Sequence, residues 1–166
     1  MSIIGRIDRD IKVGVITISD TRTKDTDKGG RKVIQHLETL NAVIGEGGYM
    51  IVKDDAFEIT EAIEHMVDSG LDAVITTGGT GIAHRDVTIE ALRPLFDKEI
   101  EGFGEIFRML SFTEDIGSRS ILSRAVAGTM GRTVIFALPG STGAVTLGME
   151  RLIVPELNHF VHELNK

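Results

Sequence analysis

The residues best equipped for chemistry are two aspartates, Asp54 and Asp86, and the stretch Thr76-Thr77-Gly78-Gly79-Thr80-Gly81-Ile82-Ala83-His84-Arg85-Asp86-Val87-Thr88. Three glycines in four residues let a ligand approach the backbone with no Cβ in the way. The stretch follows Leu71 to Ile75, an apolar run that reads as a buried strand leading to Thr77, and precedes Val87 to Phe96, which reads as a helix. A helix start offers unpaired N–H groups and partial positive charge, so the spacing predicts a phosphate-bearing ligand at Gly78–Gly81 with Asp86 beside it. The competing reading is a tight turn with Asp86 as the helix N-cap. Two widespread phosphate loops are excluded. A Walker A loop needs Gly-Lys from the sixth position, where Ala83 stands if Gly78 is the first, and a G-x-G-x-x-G dinucleotide loop opening at Gly79 would need glycine where His84 stands.

A second glycine loop, Pro139-Gly140-Ser141-Thr142-Gly143, follows the apolar run Arg132 to Leu138. Ser141 directly follows Gly140, so the loop is not a G-x-S-x-G nucleophile elbow, and its backbone and hydroxyl suit contacts to an anion. Ser19 and Asp20 follow the run Ile11 to Ile18, where they serve either a site or a turn. Tyr49 to Val52 reads as a strand ending in Lys53-Asp54-Asp55. Asp55 and Glu58 have capping-box spacing ahead of the apolar positions Ile59, Ile63 and Val67, which makes Asp55 structural. Asp54 remains free to hold Mg²⁺ through oxygen or to stand on the surface. Arg124 carries a planar fork that can pair two phosphate oxygens. Arg108 reads as a ligand or subunit contact or an exposed helical residue, and Phe103 as a flap or a core anchor.

These residues need elements to position them. Val33, Ile34, Leu37 and Leu40 predict a first helix from Asp27 to Leu40 with Asp27 as cap, and Leu157, Phe160, Val161 and Leu164 a last one after Pro155. Strands alternating with helices predict an α/β fold, a three-layer α/β/α domain over 11–166 preceded by a short arm, 1–10. The loops at Ser19, Gly78 and Gly140 then share the carboxyl side of one sheet, where α/β proteins bind ligands. The 166 residues suffice for a substantial core. The absence of cysteine removes disulfides, thiolate metal sites and a cysteine nucleophile, and fits a reducing, cytoplasmic compartment. The net charge of −7 argues against nucleic acid or an anionic membrane as partner, and no apolar run reaches membrane-spanning length. An anionic ligand therefore needs local cations, for which Arg22, Lys28, His84, Arg85 and Arg124 are placed near the loops.

The chain resembles the MoaB/MogA family of molybdenum cofactor biosynthesis proteins, and within it the MoaB branch. The resemblance is carried by Ser19-Asp20-Thr21-Arg22, Asp27-Lys28-Gly29-Gly30, Ile51-Val52-Lys53-Asp54-Asp55, Thr76 to Thr88, Glu101-Gly102-Phe103-Gly104-Glu105, Ser123-Arg124-Ala125 and Leu138-Pro139-Gly140-Ser141. It implies a mixed sheet with one antiparallel strand, self-association as a homotrimer or hexamer, and contact with other molybdenum cofactor biosynthesis proteins. It also implies a domain that binds molybdopterin and, in the catalytic branch, adenylylates its terminal phosphate with ATP and Mg²⁺, releasing pyrophosphate. By resemblance Asp54 and Asp86 are the essential carboxylates, Asp54 toward Mg²⁺. Ser19, Asp20, Thr77, Gly78, Gly79, Thr80, Gly81, Arg124, Pro139, Gly140 and Ser141 hold molybdopterin and its phosphate. Lys53 and Glu101 stand where the MogA branch has proline. The MoaB branch includes members that bind the pterin without an established adenylylation role, so a non-catalytic molybdopterin-binding carrier is the alternative expectation, with a generic nucleotide-binding domain as a third.

Overall fold

The computed structural model describes residues 5–166, so the first four residues of the expected arm lie outside the described residues. Strand β1 (Ile11–Ile18) has the predicted bounds and is buried except at Lys12. It pairs in parallel with β4 (Ala73–Thr77) on one side. On its other side β2 (Ala42–Val43) lies along its start and β3 (Tyr49–Val52) along its end. β4 pairs in parallel with β7 (Thr133–Leu138). The antiparallel strand is β6 (Val126–Met130), which runs against both β7 and the two-residue edge strand β5 (Lys98–Glu99). Strands β4 and β7 are buried throughout, which is why they read as unbroken apolar runs rather than alternating ones.

Helices cover both faces. The odd-numbered β1 residues Ile11, Val13 and Val15 pack with Ile75 and Phe136 against α1 (Lys28–Leu37), α4 (Glu101–Glu114), α5 (Thr142–Gly148) and α6 (Val154–Leu164). Ile16 and Ile18 pack with Val74 and Ile135 against α2 (Ala56–Asp68) and α3 (Thr88–Leu92). The fold is α/β, a sheet between two helical layers. Among the described residues no helix is long and apolar enough to cross a membrane.

Several elements differ from expectation for local reasons. The first helix stops at Leu37 instead of Leu40. The helix after the glycine loop is only Thr88–Leu92, because Pro94 supplies no N–H and the chain tightens into a 3₁₀ turn at Arg93–Leu95. Val87, not Asp86, occupies its cap position, with no side-chain cap bond. Asp55 caps α2 as expected, accepting from Glu58 N–H at 2.9 Å, but Glu58 reaches back to Lys53 N–H, so the box is offset. Phe103 is a core anchor, 5.3 Å from Phe136 ring to ring. A π-helical turn, Met149–Ile153, joins α5 to α6 ahead of Pro155, so the helix runs on past the proline's missing donor.

Candidate functional site

Three strand ends deliver the loops to one place. β1 ends in Ser19, β4 in Thr77 and the glycine loop, and β7 in Pro139. Thr77 Oγ1 donates to Pro139 O at 2.9 Å, Gly78 N–H to Leu138 O at 2.9 Å, and Ser19 N–H to Val52 O at 2.8 Å, so the loops are stitched to one another. Gly78 and Gly79 have φ of 103° and 71°. A Cβ on Gly78 would run into the Ile18 carbonyl, so the close approach of this loop to the end of β1 requires glycine.

Two cavities meet on this seam. One, of ≈ 490 Å³, is lined by Ser19, Arg22, Lys28, Thr77, Gly78 and the Gly140–Thr142 turn, with Thr17, Ile18, Asp27 and Gly29 in its wall. The other, of ≈ 310 Å³, lies beyond Gly78 and is lined by the loop from Gly78 to Gly81, Asp86, Pro139, Gly140 and Ser141, with Phe107, Ser111, Asp115, Ile116 and Leu122 opposite. Gly78, Gly140 and Ser141 line both. The first is polar and carries two cations; the second has an apolar wall. Together they offer an extended ligand a charged end and an apolar end.

The glycine loop is arranged to accept negative charge. Its carbonyls are bonded from behind: Thr88 Oγ1 donates to Gly78 O at 2.9 Å and Thr88 N–H to Gly79 O at 3.1 Å. Among the described residues the N–H groups of Gly79, Thr80 and Gly81 have no hydrogen-bond partner. Free donors beside occupied acceptors make an anion-binding concavity. Ser141 closes the opposite rim as N-cap of α5, its hydroxyl accepting from Ala144 N–H at 3.2 Å.

Carboxylates flank the loop. Asp20 Oδ1 accepts from Asp54 N–H at 3.0 Å, which joins the β1 and β3 ends. Asp54 Oδ1 lies 3.3 Å from where a Cβ on Gly79 would sit, and Asp86 Oδ2 accepts from Ala83 N–H at 3.2 Å inside the loop. Burial, then the charges of Asp20 and Asp86, push the Asp54 carboxyl above its ordinary range, with Arg85 opposing. The cluster is thus short of positive charge, which is the electrostatic condition a divalent cation relieves. Among the described residues no three metal-ligating side chains lie in coordinating geometry.

The floor of the larger cavity is built around Asp27. Its carboxylate caps α1 through Gly30 N–H at 2.9 Å and accepts from Thr17 Oγ1 at 2.6 Å and from the Tyr49 hydroxyl. Burial, then the bond to Asp27, raises the Tyr49 phenol far above its usual value, so it stays a donor.

The residues named from the sequence gather here, with qualifications. Ser19 lines the larger cavity, yet its hydroxyl is engaged in a turn, accepting from Thr21 and Arg22 N–H. Asp20 and Asp54 flank the loop without lining either cavity. Arg124, expected to contact phosphate, lines neither cavity and bonds the loop itself. Arg108 donates to Ala125 O at 2.8 Å and braces β6 from α4. Phe107, Ser111 and Asp115 were missed because they lie on or just past α4, more than 20 residues from the loop they face, at spacings that read only as core or surface.

Comparison with known proteins places this site in context. The family described as a probable molybdopterin binding domain matches residues 14–159. Molybdenum cofactor biosynthesis protein B of Staphylococcus carnosus is 58% identical over 161 residues, covering 97% of this chain and 95% of that one. A crystal structure of a molybdenum cofactor biosynthesis protein B is 49% identical with a TM-score of 0.91, covering 96% of this chain and 99% of the other. The tungsten cofactor synthesizing protein MoaB of Pyrococcus furiosus is 41% identical with a TM-score of 0.84, covering 96% of this chain and 100% of its own.

Proposed function

The chain belongs to the MoaB family of molybdopterin-binding domains that act in molybdenum cofactor biosynthesis, and from that premise we propose that it binds molybdopterin and adenylylates its terminal phosphate with Mg-ATP in the cytoplasm. The observation that carries the reading is the pair of cavities sharing Gly78, Gly140 and Ser141, with loop N–H groups that lack a partner among the described residues between Asp54 and Asp86.

The reaction needs two polyanions side by side. An oxygen of the pterin's terminal phosphate attacks the α-phosphorus of ATP. The new P–O bond forms as the bond to the α–β bridging oxygen breaks, and the electron pair leaves with pyrophosphate. The attacking oxygen is already ionised near neutral pH, so the chain need not remove a proton. What it must supply is alignment and charge compensation. The N–H groups of Gly79, Thr80 and Gly81 and the Ser141 turn receive phosphate oxygens, while Arg22 and Lys28 offset charge in the larger cavity. Asp54 would hold Mg²⁺, which supplies neutralisation of phosphate charge when bound. Asp86, tied to Ala83 N–H, sets the loop's shape and faces the ligand.

The same reading includes self-association as a trimer or hexamer. Ile106, Met109 and Phe112 form an apolar stripe on the outside of α4, 46%, 55% and 57% exposed, continued by Ile116, Ile121 and Leu122. We assign this face to a second copy of the chain. Phe112→Asp should shift the sedimentation coefficient toward the monomer, and an unchanged value would remove this face from the assembly.

The decisive experiment is pyrophosphate release from Mg-ATP by purified protein, with and without molybdopterin. Release that requires the pterin, and that disappears in Asp54→Ala and Asp86→Ala with the fold retained, is the expected result. Pterin binding with no release by the unaltered chain would replace this reading with that of a pterin carrier.

A further inference from the structure

Arg124, expected to contact phosphate, instead grips the glycine loop from outside both cavities. Its Nε and Nη2 donate to Gly81 O at 3.1 and 2.8 Å, and Nη2 reaches Asp86 O at 3.2 Å. The other edge of the fork is gripped by Glu90: Nη2 donates to Oε1 at 3.0 Å and Nη1 to Oε2. Glu90 belongs to α3, which opens with Thr88, the residue that bonds the carbonyls of Gly78 and Gly79. One short helix therefore anchors both halves of the glycine loop, directly through Thr88 and through Arg124 for the second half. Neither Glu90 nor Arg124 is among the described residues that line these two cavities.

We infer that Glu90 is a positioning residue for anion binding: by clamping Arg124 onto the carbonyls of Gly81 and Asp86, it keeps these oxygens turned from the ligand and the loop N–H groups available to it. The inference rests on the proposed phosphate-bearing ligand. Its sign sets it apart from simpler accounts. A carboxylate near an anion site repels the anion, so field effects alone make Glu90→Gln bind more tightly. If Arg124 were a direct phosphate contact, freeing it from Glu90 would also tighten binding. The clamp makes the opposite prediction, because a loop that loses its second anchor must be ordered at the expense of binding. A bidentate fork is also poorly replaced by an ammonium, so Arg124→Lys should resemble Glu90→Gln although it retains the charge.

The test has two arms on the full chain. In the first, backbone ¹⁵N order parameters of Gly79, Thr80 and Gly81 are measured in Glu90→Gln and Arg124→Lys without ligand. They should fall from about 0.85, the rigid-backbone value, toward about 0.6. In the second, molybdopterin is titrated into each protein, and Kd should rise about 3- to 10-fold in both variants, as expected for loss of a partly exposed charge-assisted brace. Unchanged order parameters in both variants, or tighter binding by Glu90→Gln, overturn the clamp. Absence of molybdopterin binding by the unaltered chain counts against the functional reading instead, and the order parameters then decide the clamp by themselves.

Discussion

Alanine at Gly79 perturbs the loop in a way that can be apportioned. Gly79 has φ of 71°, and a Cβ there falls inside van der Waals contact with Thr88 Oγ1. The left-handed backbone costs an L-residue about 1–2 kcal/mol. The contact forces the Thr88 hydroxyl aside, which breaks its bond to Gly78 O and adds about 1–2 kcal/mol of lost bonding and rotamer strain. Gly79→Ala should therefore destabilise by about 3 kcal/mol. Thr88→Ala alone removes the same hydrogen bond and a fully buried methyl, for about 2 kcal/mol. In the double variant the clash is gone and the hydrogen bond is lost only once. Its total should be about 3–3.5 kcal/mol, a shortfall from additivity of about 1.5–2 kcal/mol, against the ~0.5 kcal/mol typical of independent sites. Urea unfolding of the four proteins measures it. Additivity within about 0.5 kcal/mol would refute the claim that Thr88 and Gly79 form one packed unit.

Two further predictions concern charge. Arg9 pairs with Asp72 through both nitrogens, at 2.7 and 2.8 Å. Burial opposes ionisation of Asp72, but the Arg9 bonds and Lys12 N–H outweigh it and hold the carboxyl below its ordinary range. This stability is present above the unfolded carboxylate pKa and is lost as pH falls through the depressed folded value. Arg9→Met should cost about 1–2 kcal/mol at pH 7, discounted because Arg9 is half exposed, and progressively less as the pH falls below the ordinary carboxylate range; a loss that does not shrink with falling pH contradicts it. Asp54 has the reverse sign, since its raised carboxyl begins to cost stability as pH climbs past the unfolded value and does so fully above the folded one. Asp54→Asn should then be more stable than the unaltered chain at pH 7 and no more stable near pH 3, while losing pyrophosphate release. An unchanged urea midpoint at pH 7 would show that the crowding of Asp20, Asp54 and Asp86 carries no strain.

Local sequence was sufficient for features set by near neighbours. β1 and β3 have the expected bounds because their apolar residues run nearly continuously, and Asp27 and Asp55 cap their helices because a carboxylate reaches a backbone N–H three residues on. The two glycine loops were legible as strand-to-helix loops from composition and place in the chain. β6 was not legible: Gly128 breaks its pattern, and its reason for being glycine is the Phe96 ring packed against it from another element. The tasks of Arg124 and Asp86 were equally hidden. The same guanidinium reads from sequence as a phosphate fork and acts here as a brace on carbonyls 38 and 43 residues away. The same aspartate reads as a cap and bonds inside its own loop. The sequence by itself determined the α/β layering, the caps and the glycine loops between strands and helices, because periodicity and capping are encoded within a few residues. Only the tertiary structure decided which cavities those loops share, which carboxylates crowd Asp54 and which carbonyls Arg124 holds, because a long side chain's partner is chosen by the packing of elements far apart in the chain.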